Sequence, residues 1–458
     1  MELPEKFVES LSELPGLDRE AFVEAMQQPP AVSLKLNRRK CADPSELGYG
    51  GMSRVPWCSS GYYLPERPLF TLNPLLHGGV FYVQDASSMI HEEIVRRLGE
   101  SHGLPEDALV LDLCAAPGGK ATSIINALPD CARIVANEVM PQRARVLREN
   151  LVKWGFPGVT VTNSPTSRFA ALGETFDLIA VDAPCSGEGM MRKDEDARSQ
   201  WGPGLVAQCA SLQREILADA VEALQPGGFL IYSTCTFNRH ENEENVAWLV
   251  EEMGLEPVDL EIPSEWWIGS GIATPYPVLR FMPHLTRGEG LFAAVLRKKG
   301  ERQEARGKSW DRGENNKGER QEARGKSWGR GESKKEESMK GNQGDKGKKK
   351  EGLKEGLKVI LEGVPAAVMK GKTEMPAPES ALFSPSPADK LPHIDVDKET
   401  ALRYLRHEAI RLADDAPRGF VVICFGGHPL GLAKNIGNRA NNLYPSDWRI
   451  RMEIGDRR

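Results

Sequence analysis

From Ala108 to Leu296 the chain alternates short apolar runs with helical stretches, and this alternation restricts its fold more than any other feature. Ala108–Leu113, Arg133–Val139, Val159–Thr162, Phe176–Asp182, Gly228–Ser233 and Leu291–Leu296 read as strands. Lys120–Leu128, Pro141–Trp154, Leu205–Leu224 and Arg239–Met253 read as helices between them. Such a pattern predicts an open, mostly parallel α/β sheet, whose ligands bind beyond the carboxyl ends of the strands. Five polar clusters fall at those ends: a glycine turn, Glu138, Asn163, Asp182-Ala-Pro-Cys185 and Thr234-Cys235.

The glycine turn lies in VLDLCAAPGGKAT, Val110 to Thr122. Pro117, Gly118 and Gly119 break a strand and open a helix. Glycines admit a ligand close to the backbone, and the helix start offers unpaired N–H groups. Glu138, at the end of the second strand, is placed to accept from ribose hydroxyls. The GxGxxG spacing of dinucleotide folds is missing, which disfavours a nicotinamide dehydrogenase. A single nucleoside ligand fits better, and S-adenosylmethionine is the commonest for this layout. Asn163 is placed for the adenine amino edge, and Asp182 for the ligand's amino-acid or ribose side.

Cys185 and Cys235 end neighbouring strands, beside polar turns. A buried cysteine is ordinarily a small apolar filler. Two at the mouth of one ligand site suit covalent chemistry. Carbon 5 of a pyrimidine becomes nucleophilic only after a thiolate adds to carbon 6, and a second thiol can assist proton removal or release.

The remainder of the chain sets limits on this reading. Its 458 residues imply two or three domains. No run of 18 apolar residues and no secretion-type start occurs, so membrane insertion and export are not expected. The eight cysteines include no CxxC pair, which argues against zinc or a disulfide framework and for a reducing cytoplasm. Net charge is −6, but Lys299–Lys358 holds 19 basic and 12 acidic residues, so the body is more acidic than the whole. A nucleic-acid partner would need a local basic patch or the basic linker.

Before the α/β region, SLKLNRRK (Ser33–Lys40) reads as a strand running into a basic cluster, and Asp85 or Ser87 as a helix start. After it, GERQEARGKSW occurs at Gly300–Trp310 and again at Gly318–Trp328. The Lys/Glu/Gly-rich sequence that follows reads as a disordered tether. Lys398–Leu412 reads as a helix and Phe420–Phe425 as a strand. Lys434, Arg439, Arg449 and Arg451 then lie among Asn, Tyr and Trp residues, as a small β-rich binding module would have them. The expected domains are 1–100, 101–298, a linker over 299–388, and 389–458.

DLCAAPGGK, Asn137-Glu138, VDAPCSGEGM and STCT together resemble the motifs of the Sun/Nop-type RNA cytosine-5 methyltransferases. YVQDASSM and SLKLN resemble that family's N-terminal RNA-contacting extension. GGHPLGLAKNIGNRANNLYPSDWR resembles the PUA-like module of its ribosomal small-subunit methyltransferase F group. The resemblance implies an α/β, Rossmann-like class I methyltransferase core, an α+β extension and a small β-rich PUA-like C-terminal domain. It implies S-adenosylmethionine as cofactor, held by Cys114, Ala115, Ala116, Pro117, Gly118, Gly119, Lys120, Glu138, Asn163 and Asp182. It makes Cys235 the nucleophile and Cys185 the residue of turnover and release, with Lys120 and Asp182 near the target base. At position 163 the family more often has Asp. The expected protein is a cytoplasmic, metal-free monomer acting on RNA, with 16S ribosomal RNA the expected substrate. The alternatives are the same chemistry on transfer RNA or 23S RNA, and a non-catalytic ribosome-assembly factor.

Overall fold

The computed structural model describes residues 3–302, 356–365, 367–370 and 373–452. Strands β1 (Val32–Leu36), β2 (Ser53–Val55), β3 (Cys58–Leu64) and β4 (Phe81–Val83) form an antiparallel sheet in the order β2-β3-β1-β4. The central sheet contains β5 (Leu109–Asp112), β6 (Arg133–Asn137), β7 (Val159–Thr162), β8 (Phe176–Asp182) and β9 (Leu224–Thr234). It is completed by β10 (Glu256–Pro257), β11 (Leu279–Phe281), β12 (Leu291–Arg297) and β13 (Val359–Glu362). Its order is β10-β12-β9-β8-β5-β6-β7-β13, with β11 beside β12. β5 to β9 run parallel, whereas β12 and β13 are antiparallel to their neighbours.

The middle strands are hydrophobic on both faces because both faces are covered. Val110, Leu111, Ile134, Val135, Leu178, Ile179, Leu230 and Ile231 are all buried. From β5 the chain builds outward through β6 and β7, then returns to place β8 on the other side of β5. That reversal opens a crevice at the carboxyl ends of β5 and β8. The expected parallel α/β core is therefore the one observed.

The hairpin β14 (Ala367–Lys370) and β15 (Thr373–Pro376) precedes the C-terminal module. There β16 (His393–Asp395), β17 (Gly419–Phe425), β18 (His428–Asn435) and β19 (Ala440–Asn442) form a four-stranded sheet. Leu402, Tyr404, Val421, Ile423, Leu430 and Tyr444 give it a core of its own. Its helix is Lys398–Leu405, shorter than the sequence pattern implies. His407 adopts a left-handed φ of 66° just after it, and Ile410 bridges to Ala440.

Two expectations change. The linker assigned to 299–388 extends too far. β13 pairs with β7, and Leu361, Leu382 and Phe383 are buried in the main core. Arg148 holds the two carboxylate oxygens of Glu379 at 2.9 and 2.8 Å. Ile360 and Val364 pack against that core beside Leu361. The stretch 303–355, with most of the duplicated repeat, lies outside the described residues. The second change concerns the basic cluster: Arg38 stays half-exposed, 3.2 Å from the Ser59 hydroxyl, but Arg39 and Lys40 serve the internal seam. Arg39 donates to Ile125 O at 2.7 Å and Leu128 O at 2.5 Å, and Lys40 donates to Gly78 O at 2.8 Å and Lys153 O at 2.6 Å. They cap helix C-termini, where carbonyls lack partners within the helix.

Gly79 lies on the same seam. Its φ is 66°, and a Cβ there would stand 1.8 Å from the Lys153 carbonyl oxygen. Backbone against backbone cannot relax cheaply, so Gly79→Ala is expected to cost about 2 kcal/mol or more. Urea unfolding checks this; an unchanged midpoint would refute the packing described.

Candidate active site

The loop after β5 starts the site. Gly118 takes a φ of 111°, a conformation open to glycine, and caps the helix Gly119–Ala127. Beneath it lies Asp112, 1% exposed, with no hydrogen-bond partner on either carboxylate oxygen. Burial, reinforced by Asp182, raises its pKa to about 8. Without a ligand it is largely the neutral acid at pH 7, and a cationic centre bound beside it would favour the ionised form.

Around this loop the expected residues converge. Glu138 accepts from Met140 N at 2.8 Å and pairs with Arg143 at 3.2 Å, while Arg143 donates to Ala116 O at 2.9 Å. Lys120 Nζ bonds Asp182 at 2.7 Å. Burial alone would lower the lysine's pKa, but Asp182 outweighs it and raises the value. The buried His91 ring bonds Ser88 O at 3.0 Å and the Ser233 hydroxyl at 3.2 Å. Ser233 lies 3.1 Å from Asp182 as well. Burial, then Lys120, pushes His91 down to about 3, so it is neutral.

The Cys185 and Cys235 sulfurs stand 3.2 Å apart, both as free thiols. Hydrogen bonding to Cys235 and burial raise the Cys185 pKa well above its ordinary value. Cys185 thus keeps its proton and can donate it toward the Cys235 sulfur. Cys114 is also pushed up, by burial and then by Asp112, and remains a thiol.

The two cysteine loops are braced by an acid from each. Glu188, after Cys185, accepts from the main-chain N–H groups of Phe237 and Asn238 at 2.6 and 2.9 Å. Glu241, after Cys235, accepts from Ser186 N at 2.9 Å and Ser186 Oγ at 2.5 Å. Gly189 N donates to Cys235 O at 2.8 Å, and a Cβ at Gly189 would strike that same oxygen. Glu188 and Glu241 are 1% and 0% exposed. Sequence reading missed both acids, and also Asp112. The only hint was the density of polar residues directly after each cysteine.

Two expected residues do other work. Asn163 donates from Nδ2 to Glu138 O at 2.7 Å and Val139 O at 2.9 Å, and its Oδ1 accepts from Lys358 at 3.0 Å. Its side chain thus holds the Glu138 loop instead of presenting a free amide for the adenine edge. Lys35, within the supposed RNA-contacting strand, is buried and bonds Gln84 Oε1 at 2.6 Å, with Gly119 O and Ser123 Oγ both at 2.5 Å. It locks the extension onto the cofactor-loop helix.

Three family models match consecutive parts of the chain. They are described as the N-terminal domain of 16S rRNA methyltransferase RsmF over 3–86, 16S rRNA methyltransferase RsmB/F over 103–297, and the methyltransferase RsmF PUA domain over 391–450. Together the three matches take in most of the chain, and each is to a model of the RsmB/F methyltransferases. The ribosomal RNA small subunit methyltransferase F of Enterobacter sp. (strain 638) is 37% identical over 308 residues, which is 64% of this chain and 63% of that protein. Its namesake from Pectobacterium atrosepticum is 36% identical over 311 residues, again 63% of its length. A methyltransferase homologue from Pyrococcus horikoshii superposes with a TM-score of 0.52 at 26% identity, covering 65% of this chain and 100% of that one. NSun6 from the same organism, solved with SFG, shares the fold, with a TM-score of 0.56 at 21% identity over 65% of this chain and 99% of that one. The Rossmann-like core of this chain is an S-adenosylmethionine-dependent one. The cleft fits that cofactor. Asp112 would offer a carboxylate to a cationic end, the turn at Gly118 would let a ligand approach the main chain, and Val139 and Met140 leave apolar surface nearby, 54% and 55% exposed.

The Asp112 carboxyl has a pH signature. Its folded pKa lies above the ordinary 3.8, so its contribution to stability is present at low pH and lost as pH climbs from about 4 to 8. In protein without ligand, Asp112→Asn should therefore gain on the parent across that window, at no more than about 1.4 kcal/mol per pH unit. Chemical denaturation at stepped pH measures it; a constant difference would show Asp112 already ionised.

Proposed function

We propose that this chain methylates carbon 5 of cytosine in RNA, with 16S ribosomal RNA as substrate. The observation that carries the reading is the sulfur pair, 3.2 Å apart, beside the Lys120–Asp182 bridge. Cys235 is the nucleophile: its sulfur, as the thiolate, adds to carbon 6 of the cytosine. Electron density then rises at carbon 5. Bound S-adenosylmethionine supplies an electrophilic methyl group there. A base, such as a water molecule, then takes the carbon-5 proton, the freed electron pair forms the carbon 5–carbon 6 double bond, and the Cys235 sulfur leaves carbon 6 as a thiolate. Cys185, held as a thiol, assists that release by hydrogen bonding to the departing sulfur.

Lys120, Glu138, Asp182 and the loop Cys114–Gly119 hold the cofactor in this scheme. The target base must leave its stack to reach Cys235. The N-terminal extension and the PUA domain hold the surrounding RNA by shape and phosphate contacts. Action as a cytoplasmic monomer completes the proposal; no helix among the described residues is long and apolar enough to cross a membrane.

The cysteine roles predict opposite phenotypes. Cys185→Ala should accumulate a protein–RNA adduct that survives denaturing electrophoresis, whereas Cys235→Ala should form none. The reverse pattern would exchange the roles, and no adduct with either variant would refute covalent catalysis. Bisulfite mapping of ribosomal and transfer RNA, with and without the protein in cells, checks the substrate. A 16S cytosine should lose its methyl group; loss confined to 23S or transfer RNA would redirect the assignment.

A further inference from the structure

The outer wall of the cofactor cleft is built from two distant parts of the chain. β7 would be the edge of the sheet if the chain ended with β12. Instead β13 returns from beyond residue 355 and pairs with it, Val359 facing Thr162 and Leu361 facing Val161. Lys358 stands at the cleft end of this added strand. Its carbonyl accepts from Asn163 N at 2.8 Å, its N–H donates to Ser164 Oγ at 2.9 Å, and its Nζ donates to Asn163 Oδ1 at 3.0 Å. Asn163 in turn donates to the carbonyls of Glu138 and Val139. From Glu138 the contacts continue through Arg143 to the Ala116 carbonyl in the glycine loop. The return strand is pinned from behind by Arg148, which donates to Ile360 O at 3.2 Å and grips Glu379 with both ends of its guanidinium.

We propose that Lys358 is a positioning residue for the cofactor, acting through Asn163 on the Glu138–Val139 loop, so that cofactor affinity depends on the docking of β13. The physical reason lies in the donor set. An Asn at 163 orients its amide only if both ends are satisfied. The two carbonyls fix Nδ2, and the Lys358 ammonium fixes Oδ1 with a charge-assisted bond. Remove the ammonium and Oδ1 loses its partner within the protein, the amide is freer to turn, and the Glu138 loop loses a restraint. The cost falls on the ligand that this loop must hold, because order absent beforehand has to be imposed on binding.

This inference rests on S-adenosylmethionine as cofactor, and its test separates the two. Calorimetric titration of the full-length protein with S-adenosylmethionine and with S-adenosylhomocysteine gives the affinities. Lys358→Met should weaken both ligands by about threefold to tenfold, the range of one ordinary hydrogen bond, since water screens the exposed ammonium. Lys358→Arg, which keeps a cationic donor, should restore affinity to within about twofold. Tm without ligand should stay close to the parent's for both variants, because Lys358 is exposed. Equal affinity of Lys358→Met and parent would overturn the proposal. So would a loss that Lys358→Arg fails to rescue, since that would point to packing rather than charge. If Lys358→Met unfolds, the comparison passes to Asn163→Ala, which removes this link together with the bonds to the Glu138 and Val139 carbonyls and should weaken both ligands at least as much; unchanged affinity there would also overturn it. A parent protein that binds neither ligand would instead refute the cofactor assignment.

Discussion

The active site depends on a reciprocal brace. Cys185 and Cys235 follow different strands, and nothing in their own loops would hold two sulfurs 3.2 Å apart. Glu188 reaches from the first loop to main-chain amides of the second, and Glu241 reaches back. Each is a buried carboxylate whose charge is met by several donors, which is the condition under which a buried anion is tolerable. Burial raises the Glu241 pKa while Ser186 and Asn238 oppose the rise. The acids therefore act as staples, and the chemistry stays with the sulfurs.

A second constraint joins the extension to the core. Lys35, Arg39 and Lys40 direct their charge inward, onto carbonyls at helix ends and the glycine loop. Lys35 and Lys40 are pushed by burial to about 7. Lysines kept in such places are anchoring devices, so RNA must find its positive charge elsewhere. The seam also explains why the extension cannot be treated as a loose arm: Lys35 bonds the first turn of the helix that opens the cofactor cleft.

The strands and the polar residues at their ends were legible because a buried parallel sheet leaves an unmistakable apolar rhythm, interrupted only where ligands bind. The glycine loop, Glu138, Asp182 and both cysteines stand where that rhythm breaks. What stayed hidden has a common cause. Glu188, Glu241 and Asp112 look like ordinary acids in sequence, since their burial is decided by residues far along the chain. β13 is four residues long and follows a charged stretch, so its apolar character was diluted. Arg39 and Lys40 read only as part of a basic cluster, because charge alone cannot distinguish solvent from an unpaired helix end. Asn163 was placed at the right strand end, but the partners of its amide, Lys358 among them, belong to the fold and not to the local sequence.

The central claim is that the sulfur of residue 235 bonds to the pyrimidine ring. RNA carrying 5-fluorocytosine at the target keeps that bond, because fluorine cannot leave carbon 5 as the proton does. Incubation with full-length protein and S-adenosylmethionine, then digestion and mass spectrometry of the cross-linked peptide, identifies the attached atom. The account predicts a methylated fluorocytosine on Cys235. Attachment at Cys185, or a methylated product with no attachment, would contradict it.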